Sequence, residues 1–200
     1  MIGHTLAALF LVPLLLLQPA APLTPARSVR GNTLRVELPG LSAIQVQRDY
    51  RYAGSQRFIL KGVADAEQHA FAAVDAAGAI ERFYWFQFES LLPASSGGYD
   101  YSKDSPLSIA GLSWHAHVRR YTAPPEPDGD QAALYKLFAT KGWRQPLPAL
   151  RARLVYLPDA DRRSELMIIY AEATASGAPP TATESAELLA RAQAGLRLVR

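Results

Sequence analysis

The chain has 200 residues, 49% hydrophobic, 10% aromatic and 20% charged, a balance that suits an ordinary folded domain and excludes a disordered or fibrous chain. It has no cysteine, which excludes disulfide frameworks, thiolate metal centres, CxxC redox chemistry and a lipid-modified cysteine. Basic residues exceed acidic ones by 21 to 18, and with no basic run longer than two the excess lacks the clustered footprint that nucleic-acid binding needs.

The first element is an uncharged stretch, LAALFLVPLLLL, from Leu6 to Leu17. A helix rising about 1.5 Å per residue over that length falls short of a hydrocarbon layer of roughly 30 Å, and the stretch has the size of a secretory h-region. Thr24 and Ala26 place small residues three positions and one position before a cut after Ala26. Residues 1–26 are therefore expected to be a signal peptide, and 27–200 a single domain exported to the periplasm or the exterior. The alternative is an uncleaved amino-terminal anchor, which would be the expected membrane contact.

Leu34, Val36 and Leu38 alternate with Arg35 and Glu37, the period of a half-buried strand, and Pro39-Gly40 ends it. Ile44 and Val46 repeat the pattern, and 58–63 and 69–74 read as further strands, with Asp75 to Gly78 as a hairpin loop. The next run, Ile80 to Glu89, carries Tyr84, Phe86 and Phe88 on one side and Phe83 and Trp85 on the other. A strand apolar on both sides needs cover on both, so it is expected at the centre of a sheet. A polar loop, 93–106, contains Tyr99 and Tyr101, and a strand from Leu112 to Tyr121 follows, with Trp114, Ala116 and Val118 on one side and His115, His117 and Arg119 on the other.

After a proline-rich connector, Asp130 is placed to cap a helix over 130–141 whose Leu134, Leu137 and Phe138 share a face, with Gly142 to end it. Strands over 150–157 and 165–172 flank a charged turn, and the second is again apolar on both faces. Thr181 and Glu184 have capping-box spacing, and Leu189, Ala192, Leu196 and Val199 recur at helical intervals, which predicts a last helix over 182–199. The fold class is thus α+β, a mostly antiparallel sheet with two helices packed on it.

The motifs GxSxG, HExxH, SxxK, GxxxxGK[ST] and GxGxxG are absent. His115-Ala116-His117 puts two imidazoles on one strand face, but with Ser113 and Arg119 beside them the pair reads as solvated, and no metal and no cofactor are expected. The acidic turn at 159–165 lacks the glycine of a calcium loop and carries Arg162 and Arg163 where oxygen ligands would stand. Tyr99, Tyr101, Trp85 and Trp114 are the candidate ligand-binding residues, because large flat side chains with a polar handle bury area at little rotamer cost. The expectation is a binding protein for a small apolar or amphipathic ligand or a partner protein. The alternative is a hydrolase or metalloenzyme in which His69, His115, His117 and Glu89 converge in one cleft.

Overall fold

The computed structural model describes residues 23–200. The leader expected over 1–26 therefore lies almost wholly outside the described residues. Its last four do not: Leu23 bridges to Arg57, and the Ala26 amide donates to the Glu67 carboxylate at 3.0 Å. No helix among the described residues is long and apolar enough to cross a membrane.

The described residues form β1 (Val29–Arg30), β2 (Thr33–Leu38), β3 (Leu41–Val46), β4 (Arg51–Leu60), β5 (Ala64–Val74), β6 (Ile80–Leu91), β7 (Ser105–Ile109), β8 (Leu112–Tyr121), α1 (Asp130–Ala139), β9 (Ala149–Tyr156), β10 (Ser164–Ala173), α2 (Ala182–Ala194) and β11 (Leu196–Val199). They make an α+β fold of two antiparallel sheets, a small one in the order β1-β2-β3-β11 and a large one in the order β4-β5-β6-β10-β9-β8-β7.

The expected central strands, β6 and β10, are neighbours inside the large sheet. Their even-numbered side chains face the small sheet, where Phe71, Tyr84, Phe86, Trp114, Leu154 and Ile168 meet Leu34, Val36 and Ile44, with Leu188 and Ala192 of α2 at the side. Their odd-numbered side chains face the other way. There α1 lays Leu134, Tyr135 and Phe138 on Ala70, Ala72, Phe83, Trp85 and Ile169. Both faces are covered, which is why these strands carry no polar side over their middles.

Several boundaries depart from the sequence reading. The strand expected over 58–63 is β4, Arg51–Leu60, with 61–63 in the turn to β5, and the loop expected over 93–106 gives its last two residues to β7. The last helix stops at Ala194, not 199, and Leu196–Val199 is instead β11, hydrogen-bonded to β3. Gly195 breaks the helix, and Leu196 and Leu198 also fit a period of two; pairing to β3 satisfies backbone groups that another helical turn would leave at the end of α2. The first helix ends at Ala139, with the left-handed Gly142 three residues beyond, and Gly129 rather than Asp130 is its N-cap. The strand expected over 69–74 begins at Ala64, because Glu67, Gln68 and His69 are buried polar residues whose partners, Ala26 and Arg27, Gln87, and Tyr52 in turn, come from elsewhere in the fold. The capping box stands as expected: Thr181 Oγ1 accepts from the Glu184 amide at 3.1 Å, and the Thr181 amide donates to Glu184 at 2.7 Å.

Candidate functional site

Strand alternation divides the polar residues of the large sheet into two groups, one between the sheets and one on the helix-covered face. Between the sheets, Glu67 and His69 follow each other on β5. The His69 ring sits edge-on to Phe88, with Nε2 2.7 Å from Glu67 Oε1 and Nδ1 3.0 Å from the Tyr52 hydroxyl. Burial pushes the Glu67 carboxyl up, but donors from His69, the Arg27 and Ala26 amides and the Arg27 guanidinium outweigh it and hold the carboxyl at about 2. An ionised carboxylate only accepts, so His69 Nε2 donates to it. Arg27 then lies over the Phe88 ring, 3.7 Å from its centroid.

These residues open into a cleft of about 450 Å³ at one end of the sheets. Leu38, Pro39, Phe88 and Pro158 supply its apolar surface. Arg27 with Glu67, Arg57 with Asp65, and Ser90 with Ser164 supply its polar one. The volume falls in the roughly 300 to 1,000 Å³ range of small-molecule sites, and the lining is the mixture such sites use.

On the helix-covered face, Glu89 of β6 and Glu165 of β10 are direct cross-strand partners. They are only 8% and 4% exposed, and neither forms an ion pair among the described residues. Tyr99 donates its hydroxyl to Glu89 at 3.0 Å and Tyr101 donates to Glu165 at 2.6 Å, while Gln87 also donates to Glu89. Two carboxyls side by side out of water cannot both ionise cheaply. Burial, with the Glu89 charge added, pushes Glu165 up to about 8, and burial raises Glu89 as well. The loop between β6 and β7 is thus pinned over a buried carboxyl pair. Arg163 holds its far side by donating to the carbonyls of Leu92, Ser95 and Gly97.

Of the four residues singled out for ligand binding, Tyr99 and Tyr101 share this loop and are half-buried. Trp85 and Trp114 are buried on opposite faces of the large sheet, one under α1 and the other between the sheets. The four therefore do not line one cavity. The four residues of the enzymatic alternative also stay apart, because His69 faces the small sheet whereas Glu89, His115 and His117 face away from it. Among the described residues no group of three or more His, Asp or Glu side chains is placed to hold a metal ion.

Sequence reasoning did not anticipate Glu67, Arg27 or Glu165. The signal that could have found them is a run of Glu, Gln and His inside a strand, since buried polar residues need specific partners. Comparison of the chain with models of known families, with characterised proteins and with solved structures finds no match.

Proposed function

We propose that the protein is an exported binding protein for a small amphipathic molecule, seated in the cleft between the two sheets. The observation that carries this reading is the cleft's composition: an apolar wall of Leu38, Pro39 and Phe88 beside the Arg27–Glu67 and Arg57–Asp65 pairs, in about 450 Å³. An alkyl or ring portion would lie on the wall, and a polar head would meet the charged pairs at the mouth. Binding to the folded state alone raises stability in proportion to the logarithm of ligand concentration.

The test uses decanoate and decylamine, each below its aggregation concentration, in thermal-shift titrations of the wild type and of Ser90→Trp. Ser90 is an exposed residue at the cleft's edge, so an indole there fills the space without entering the core. A saturable rise in Tm with either probe, lost in Ser90→Trp while the unliganded Tm is unchanged, supports the reading. An equal response in the two proteins, or none in the wild type, refutes it.

A second reading keeps Tyr99 and Tyr101 as the contact residues, favoured by their half-exposed rings over a face that is otherwise sealed. The variant Tyr99→Ala with Tyr101→Ala separates the two. Loss of the probe response there, with retention in Ser90→Trp, places the ligand at the loop.

A further inference from the structure

Away from the cleft, the helix-covered face carries a second unusual cluster at its β8–β9 side. Arg151 of β9 is 3% exposed, and it makes no ion pair among the described residues. Its guanidinium lies over the Tyr121 ring at 3.9 Å from the centroid, Nη2 donates to the Tyr135 hydroxyl, and Nε is buried without a hydrogen-bond partner. A buried cation with no counter-charge is costly in a folded protein, and the aromatic ring offsets only part of that cost.

The surroundings increase the charge. Arg119 of β8 stands directly opposite Arg151 across the sheet, and His117 stands opposite Arg153 in the same way. Like charges placed directly across an antiparallel pair repel. Arg119 makes no ion pair among the described residues. Arg153 donates to Asp104 Oδ2 at 2.8 Å, with His117 Nδ1 3.7 Å from the same carboxylate, and its Nε is likewise buried without a partner. Of the three guanidiniums on this side of the sheet, Arg119, Arg151 and Arg153, only Arg153 has a carboxylate partner among the described residues. Between them lies a small pocket of about 80 Å³, lined by His117, Arg119, Tyr121, Arg151, Arg153 and Ile169, with no acidic residue in its wall.

We propose that this pocket is an oxyanion site, built for a tetrahedral group such as a phosphate, either free or as the head of a monoester. The volume takes a head group and excludes the body of a larger ligand. Arg151 and Arg119 are cross-strand partners that both line it, with guanidiniums 3.9 and 5.3 Å from the Tyr121 ring centroid, and arginine is the side chain whose donor geometry matches phosphate oxygens two at a time. The Tyr121 ring, which lies against the Arg151 guanidinium and also lines the pocket, gives a monoester carrying an aromatic group a surface to rest on. This inference stands on residues separate from the inter-sheet cleft and does not depend on the function proposed for it.

The experiment is a titration of the full chain with inorganic phosphate, with phenyl phosphate and with chloride at matched ionic strength, read by thermal shift and by phosphorus NMR line broadening. The variants are Arg119→Glu, which changes an exposed side chain, and Arg151→Met, which keeps the buried volume. Saturable binding of one of the two phosphates, absent with chloride and weakened at least tenfold by Arg119→Glu, supports the site. Preference for phenyl phosphate assigns the group to a monoester, and preference for the inorganic ion assigns it to free phosphate. Should Arg151→Met fail to fold, Arg119→Glu alone decides. A phosphate response equal to that of chloride, or one unchanged in Arg119→Glu, overturns the proposal.

Discussion

Replacing Glu165 by glutamine should make the protein less sensitive to pH in a defined direction. The carboxyl is 4% exposed and is raised from 4.5 to about 8 by burial and by its neighbour Glu89. Below about pH 4.5 it is protonated in both the folded and the unfolded chain, so the stability it is linked to is fully present. As pH climbs, the unfolded chain ionises first and the folded chain resists, so stability falls by about 1.4 kcal/mol per pH unit until the folded carboxyl also ionises near pH 8. The whole change has a ceiling of about 5 kcal/mol. Glutamine keeps the volume and an oxygen to accept the Tyr101 hydroxyl, but it binds no proton. Urea unfolding of wild type and Glu165→Gln at pH 5, 6.5 and 8 should therefore give similar stabilities at pH 5 and a widening advantage for the variant towards pH 8. Parallel curves across that range would mean that Glu165 ionises alike in the folded and unfolded chains, and the account of the buried carboxyl pair would fail.

Glu67→Gln should show the opposite dependence, because that carboxyl is held down at about 2 by His69, Arg27 and Ala26. The stability it provides, about 3 kcal/mol, is present above pH 4.5 and lost as pH falls towards 2; circular dichroism between pH 2 and 7 should find the variant weaker at neutral pH and the two proteins converging in acid. Gly195→Ala should cost about 1 to 3 kcal/mol by overpacking, since an added Cβ would overlap the buried Tyr84 hydroxyl while the backbone there, at φ −79°, tolerates alanine. A double-mutant cycle with Tyr84→Phe should recover part of that loss, and strict additivity would locate the strain elsewhere.

What could be read from the chain was whatever rested on local periodicity. Tyr84, Phe86 and Phe88 against Phe83 and Trp85 marked β6 as covered on both faces, and the capping box at Thr181 marked the start of α2. The end of α2 was ambiguous in principle, because Leu196 and Val199 fit a helical step while Leu196 and Leu198 fit a strand, and only the presence of β3 alongside decides. β7 was hidden by Pro106, which reads as loop and is tolerated because β7 is an edge strand.

Of the site, the 93–106 loop could be recognised as polar and tyrosine-bearing, but not what its hydroxyls meet. Glu89 and Glu165 become neighbours only when β6 pairs with β10, and Arg151 faces Arg119 only when β9 pairs with β8. Such pairs join strands distant in sequence, and a single chain read in order carries no signal for them.

The pairing of β3 with β11 also sets the order in which the molecule can assemble. β4, β5 and β6 are consecutive in the chain and adjacent in the sheet, so they can form by successive hairpins with short loops to close. Residues 41–46 must wait for residues 196–199, and contacts of that separation form slowly because the entropy of closing the intervening chain is met before any of them is gained. Until then the outer edge of β3 presents open amide and carbonyl groups with Ile44 and Val46 beside them, a template for another chain's strand. The small sheet is therefore where a nascent or refolding molecule is most exposed to mispairing, and docking of 196–199 replaces the open edge of β3 with a strand of only four residues, a much poorer template.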